Sequence, residues 1–219
     1  MAAARTGRLL HELYQQLWKF FGPQGWWPGE TPFEVAVGAI LTQNTNWNNV
    51  TQAIAALKDH AVLEPQVLHD LPEAELARLI RPAGYFNIKA RRLKNFLAFL
   101  GNHYHHSMET MATESLESLR PALLAVKGIG PETADSILLY ALAKPTFVVD
   151  AYTFRIFSRH GLISEAWAYE ELRQWFMQHL PAEVLLFQEY HALLVRLGKL
   201  WCRPRPQCDG CPVQGWPEE

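Results

Sequence analysis

Apolar residues recur at helical spacing along almost the whole chain, and no stretch alternates in the way a half-buried strand would. In "LLHELYQQLWKFF", Leu9, Leu10, Leu13, Leu17 and Phe20 gather on one side of a helix. "PFEVAVGAILTQ" is mostly apolar and suits a buried helix, and "NWNNVTQAIAALK" follows as an amphipathic helix with Asn46 placed to cap it. "LPEAELARLIRP" is a short helix closed by Pro82. "NIKARRLKNFLAFLGNHY" puts Ile88, Leu93, Phe96, Leu97 and Leu100 on one side, with Lys89, Arg91, Arg92 and Lys94 largely elsewhere. Three further helices are expected in "AYTFRIFSRHGL", "AYEELRQWFMQHL" and "AEVLLFQEYHALLVRLGKLWC". A chain built this way is all-α.

At 219 residues it can hold one large domain or two small ones. The formal net charge of −2 excludes a surface coated in positive charge, although a local basic stripe would suffice for nucleic acid. No apolar run approaches the length needed to cross a bilayer, and "MAAARTGRLLHELYQQL" lacks the apolar segment of a signal peptide. The expectation is a cytoplasmic protein with no membrane partner. All cysteines fall at the C-terminus, so no disulfide framework supports the main body.

The most specific segment is "LLAVKGIGPETADSILLYALAKPTFVVD". A helix ends at "SLESLRPALLAV", a tight turn holds Gly128 and Gly130, and a second helix starts with Pro131 in its first turn. Glycines leave backbone amides open to close approach, and amides at a helix start can seat a phosphate. An ordinary glycine helix cap is the competing explanation. Asp150 similarly suits the N-cap of "AYTFRIFSRHG".

The pattern L-x-x-V-K-G-I-G-P-E-T-A, an apolar helix, then V-V-D-A-Y-T-F-R-I resembles the helix-hairpin-helix and catalytic-aspartate segment of the endonuclease III-like DNA glycosylase superfamily. The resemblance runs from about Phe33 to the C-terminal cysteines. It implies a hairpin that grips the DNA backbone through main-chain groups at Gly128 and Gly130, often with a monovalent cation. It also implies that Asp150 faces the sugar, stabilises its developing positive charge and orients the attacking water. Bifunctional members carry a lysine second after the G-x-G, where it forms a Schiff base; here that position is Glu132, which cannot. The resemblance therefore implies hydrolysis of the base–sugar bond without lyase chemistry.

"GWWPGETPFEVAVGAILTQNTNW" and "RPAGYFNIKARRL" resemble the 3-methyladenine glycosylase branch of that superfamily. By that match Trp26, Trp27, Pro28 and Trp47 line the base pocket, and Gln43 fills the gap left by a flipped nucleotide. Aromatic faces attract a cationic alkylated purine through stacking and cation–π contacts. The alternatives are core tryptophans and a capping glutamine. The basic run Lys89, Arg91, Arg92 and Lys94 reads as the solvated face of an amphipathic helix or as phosphate contacts.

In the tail, Cys202, Cys208 and Cys211 are spaced C-x5-C-x2-C. Endonuclease III-type enzymes commonly end in four cysteines that hold a [4Fe–4S] cluster; here the first gap is one shorter and no fourth cysteine follows. A cluster with an incomplete cysteine set, a labile cluster, zinc or an empty remnant all stay open. The expected architecture has two lobes: a six-helix lobe over residues 33–143, and a second lobe from residues 1–32 and 144–219, with the cleft holding Asp150 and the tryptophans. The expected function is monomeric excision of alkylated purines, chiefly 3-methyladenine, from damaged double-stranded DNA. An endonuclease III-like glycosylase/lyase acting on oxidised or mismatched bases, or a DNA-binding module without chemistry, are the alternatives.

Overall fold

The computed structural model describes residues 2–217. They form helices joined by turns, with no strand among the described residues. Two compact units emerge, Trp27–Lys144 and a second made of Met1–Trp26 with Pro145–Glu219. The chain passes between units at Trp26/Trp27 and Lys144/Pro145, against sequence-based boundaries at 32/33 and 143/144.

The first unit contains α2 (Pro32–Leu41), α3 (Trp47–Asp59), α4 (Pro65–Asp70), α5 (Glu73–Leu79), α6 (Phe86–Tyr104), α7 (Met108–Ala112), α8 (Leu116–Ala125) and α9 (Pro131–Ser136). Nine of the ten residues of α2 are buried, all but Glu34 uncharged, which makes it the central helix, packed on every side. Thr31 starts it by accepting the Glu34 N–H at 3.1 Å, and Pro32 takes the first position, where no N–H is needed. Asn46 starts α3 in the same way, through the Asn49 N–H at 3.1 Å. One apolar cluster gathers Ile40 and Leu41 of α2, Leu93, Phe96 and Leu97 of α6, and Ile137 and Leu138 after α9.

The helix expected over "PETADSILLYALA" changes character halfway. After α9 the backbone widens into a π-helical turn, Ile137–Ala141, marked by the bond from Leu142 N–H to Ile137 O at 3.1 Å. The arms of the hairpin are locked by Arg120 of α8, whose guanidinium donates to Asp135 of α9 at 2.8 and 3.0 Å. Asp135 is fully buried, so this two-pronged pair is protected from water.

The second unit joins α1 (Ala2–Phe21) to α10 (Ala151–Arg159), α11 (Tyr169–His179) and α12 (Val184–Leu200). Phe147 stacks on Phe176 at 3.9 Å, and Phe157 meets Phe176 edge-on at 5.0 Å. Buried Tyr190 of α12 donates its hydroxyl to the Leu10 carbonyl at 2.8 Å, which ties α1 to the C-terminal helices. No helix among the described residues is long and apolar enough to cross a membrane.

The basic run of α6 departs most from its sequence-based reading. Only Arg91 sits on the solvated face, 3.5 Å from Glu73. Lys94 donates to the carbonyls of Leu68, His69 and Leu71 at the end of α4. Lys89 is buried and donates to Leu41 O at 2.8 Å and Ala83 O at 2.7 Å, closing the C-terminus of α2 and the short 3-10 turn Arg81–Ala83. Burial, with the nearby Arg92 charge, lowers the Lys89 ammonium to about 8. The folded value lies below that of the unfolded chain, so folding releases protons between the two, and the contribution of Lys89 to stability rises with pH through that window. Lys89→Met should destabilise by roughly 1–3 kcal/mol, because two buried carbonyls lose their donor. The gap between wild type and variant should widen by roughly 2 kcal/mol from pH 7.5 to 9.5, as read by urea unfolding at the two values.

Candidate functional site

Asp150 ends the extended segment after Val149 and caps α10. Its Oδ1 accepts both the Thr153 N–H at 2.7 Å and the Thr153 hydroxyl at 2.9 Å. Oδ2 is left for other work, and His191 Nε2 of α12 lies 3.6 Å from it. The Asp150 side chain is 11% exposed and that of His191 is 7%. Burial on its own would push the Asp150 carboxyl up. The His191 imidazole, through contact and charge, together with the two Thr153 donors, outweighs burial and holds the group below the ordinary carboxylate value. The result is a carboxylate kept ionised in a largely dry position, with one oxygen structural and the other available. Sequence reasoning found Asp150 but not His191, which is far along the chain and reaches it only because α10 packs on α12.

In the first unit, Trp27, Pro28 and Trp47 line one cavity of about 210 Å³, together with Gly38, Thr51, Ile54 and Ala55. Glu34 and Lys58 also line it and form an ion pair of 2.9 Å. The Trp27 and Trp47 rings meet edge to face at 5.2 Å, and Tyr140 of the π-helical turn lies 5.2 Å from Trp27. Gly38 makes room for both indoles, since a Cβ there would stand 3.3 Å from Trp27 Nε1 and 3.5 Å from Trp47. Trp26 does not line this cavity. It belongs to the second unit, where the Lys199 ammonium sits 5.7 Å over its ring. The sequence grouped Trp26 with Trp27 and Trp47; the structure brings only Trp27, Pro28 and Trp47 together, and adds Tyr140 and Glu34, which no local signal marks.

The hairpin turn between α8 and α9 is built around Gly128 at φ +98°, a conformation other residues rarely adopt. Gly130 differs. Its φ of −93° suits any residue, and a Cβ there would meet nothing within 4 Å. The fold therefore does not require glycine at 130. Gln43, at the loop after α2, donates to Gly128 O at 3.1 Å and Thr133 Oγ1 at 2.9 Å, and accepts from Arg92. Glu132 occupies the exposed first turn of α9, where a negative charge complements the helix dipole.

The three cysteines are free thiols. Cys202 is buried and Cys208 exposed, while the Cys211 thiol is pushed up by burial and, more weakly, by its two neighbours. Among the described residues no group of three or more His, Cys, Asp or Glu side chains is placed to hold a metal ion. The tail is instead fastened to α10. Arg159 donates to Arg203 O at 2.5 Å, Pro204 O at 2.9 Å and Cys202 Sγ at 3.4 Å, and Arg155 donates to Cys202 O at 2.7 Å. His160 Nδ1 lies 2.5 Å from Trp216 O. The three thiols are one short of the four that an iron–sulfur cluster normally takes.

A hairpin of this form followed by a capping aspartate defines a class, and the comparisons agree with it. Residues 37–182 match the model of the HhH-GPD superfamily base excision DNA repair proteins. The DNA repair glycosylase candidate MJ1434 of Methanocaldococcus jannaschii is 47% identical over 207 residues, covering 94% of each chain. Endonuclease III of Sulfolobus acidocaldarius is 27% identical and covers 84% of this chain and 80% of its own. Among solved structures, the H. pylori 3-methyladenine DNA glycosylase MagIII, bound to 1,N6-ethenoadenine, superposes with a TM-score of 0.75 at 30% identity, over 90% of this chain and 97% of that one. A non-covalent endonuclease III–DNA complex matches the fold with a TM-score of 0.80 at 22% identity, over 94% and 92%. The chain belongs to the HhH-GPD superfamily of base excision DNA repair proteins, and within it to the DNA glycosylases.

Asparagine offers the same cap oxygen as aspartate but no charge. Asp150→Asn should therefore melt within a few degrees of wild type, whereas Asp150→Ala should lose about 1 kcal/mol, or roughly 2–4 °C in a thermal melt. Because the Asp150 carboxyl is held low, any advantage of wild type over Asp150→Asn should persist at neutral pH and vanish as the pH falls through the folded value.

Proposed function

We propose that this protein hydrolyses the N-glycosidic bond of alkylated purines, chiefly 3-methyladenine, in duplex DNA, and does not cut the strand. The observation that carries the reading is the Trp27–Trp47 cavity, walled by aromatic and aliphatic groups and by the Glu34–Lys58 pair. Alkylation leaves the base cationic and weakens its bond to the sugar. Recognition then needs electron-rich ring faces more than a set of hydrogen-bond donors, and the leaving group needs little protonation. The MagIII structure, a 3-methyladenine glycosylase holding an ethenoadenine, supports the same substrate class.

In this reading Asp150 supplies the chemistry. Its Oδ2, which faces His191 and is not used in the helix cap, stabilises the positive charge that develops on the sugar as the base leaves, and orients the water that attacks it. Glu132 at the position of the lyase lysine leaves no amine there for a Schiff base. Gly128 and Gly130 present the turn to the DNA backbone, and Gln43 fills the gap left by the flipped nucleotide.

The test separates base release from strand breakage on methylated, oxidised and mismatched duplexes. Wild type should release methylated purine only. Asp150→Asn should fall by at least ~100-fold, and Trp27→Ala and Trp47→Ala by roughly 10–100-fold. Gly130→Ala should keep the wild-type melting temperature yet weaken duplex binding by about tenfold, because the added methyl meets only the ligand. A borohydride-trapped protein–DNA adduct, or release of oxidised pyrimidines in preference to methylated purines, would overturn the reading. For the tail we infer attachment without a metal. Anaerobically purified protein should contain far less than one iron per chain, and a chelator should leave its melting temperature unchanged.

A further inference from the structure

Gln43 is held by more partners than an exposed loop side chain needs. A glutamine amide offers two N–H donors and a carbonyl acceptor. Here Nε2 donates to Gly128 O at 3.1 Å and to Thr133 Oγ1 at 2.9 Å, while Oε1 accepts from the Arg92 guanidinium at 2.5 Å. Both ends of the amide are engaged, so it cannot flip without setting its N–H groups against the guanidinium. Arg92 is itself seated on the turn. A Cβ at Gly128 would lie 2.4 Å from Arg92 Cγ and 3.0 Å from Cδ, so the missing side chain at Gly128 is the space that the arginine stem occupies. One turn further along α6, Asn95 donates to Lys127 O at 2.8 Å. One face of α6 thus clasps the hairpin turn and the Gln43 loop together.

We propose that Arg92 is a positioning residue for opening the duplex. It presets the Gln43 amide and ties it to the hairpin, so the group that enters the base stack and the turn that grips the backbone approach DNA as one rigid piece. The inference rests on the reading of Gln43 as the gap-filling residue. The physical reason is pre-organisation: a glutamine already held in one rotamer loses less conformational freedom when it enters the gap. Such an advantage applies only where a stack has to be opened. A methylated single strand presents its bases without that step.

The experiment follows single-turnover release of 3-methyladenine from a methylated duplex and from the same strand alone, using wild type, Arg92→Met, Arg92→Lys, Gln43→Ala and the Arg92→Met/Gln43→Ala double variant. Arg92→Met keeps the stem that packs on Gly128, and Arg92→Lys keeps a charge; thermal melts report whether each is folded. The duplex rate should fall about tenfold in Arg92→Met, with less than a twofold change on the single strand. In the double variant the effects should not add, because Arg92 acts through Gln43. Equal losses on both substrates, or additive effects, would overturn the proposal. A wild type that releases no methylated base from either substrate would instead overturn the substrate assignment. The proposal is then decided by 2-aminopurine fluorescence beside an abasic site: wild type should unstack the probe and Arg92→Met should do so less. Equal unstacking by both, or by neither, would sink it.

Discussion

Buried helix ends leave carbonyl oxygens that have lost water, and each must find a donor inside the protein. In the Trp27–Lys144 unit much of that demand is met from one helix. Along α6, Lys89 serves the end of α2 and the 3-10 turn, Lys94 serves the end of α4, and Asn95 serves the hairpin turn. Arg92 reaches the same turn through Gln43, which donates to Gly128 O. Four polar side chains on different sides of this helix reach neighbouring elements. This placement fixes where α2 ends, and therefore where the Gln43 loop begins. It also sets the hairpin turn against that loop. The grip proposed for DNA stands on this set of donors, and a charged ammonium is kept buried to complete it.

The second unit solves a related problem with one residue. Asp150 has to start α10 and, in the proposed mechanism, also to face a reacting sugar. Its two oxygens divide these tasks. Oδ1 satisfies Thr153 and sets the helix start, which orients the carboxylate without a separate support. Oδ2 points to His191, and the net balance keeps the group ionised despite its burial. Fixing a charge in advance in a poorly solvated place is an effective way to stabilise a cation that exists only in the transition state. A cap and a catalyst thus share one side chain, with the geometry of the first serving the second.

Most of the longer helices were legible from local signals, while the short α4 and α7 were not read from the sequence. Thr31, Asn46, Ser115 and Asp150 are capping residues directly before apolar periodic runs, and the side chain of each accepts from the third residue after it. The hairpin was legible because Gly128 needs a backbone angle that few residues accept. The basic run of α6 was misread because a lysine's charge marks it as a surface residue, while nothing nearby in sequence shows three carbonyls waiting for it. The tail was ambiguous for the opposite reason. Its cysteines carry a strong motif, but the contacts that hold it come from Arg155 and Arg159 on α10 and His160 just after it, far away along the chain.

The amino-acid sequence by itself determined the all-α class, the helix starts at Asn46, Pro131 and Asp150, the hairpin turn and the residue at 132, which is glutamate and not lysine. These follow from backbone angles, caps and side-chain chemistry, all of which act within a few residues. Only the tertiary structure decided that Trp27 and Trp47 share a cavity while Trp26 belongs to another unit, that His191 stands beside Asp150, and that Arg92 holds Gln43 to the hairpin. Those pairings depend on which helix faces pack together, and packing is set by the burial of the whole apolar surface rather than by any residue's neighbours in the chain.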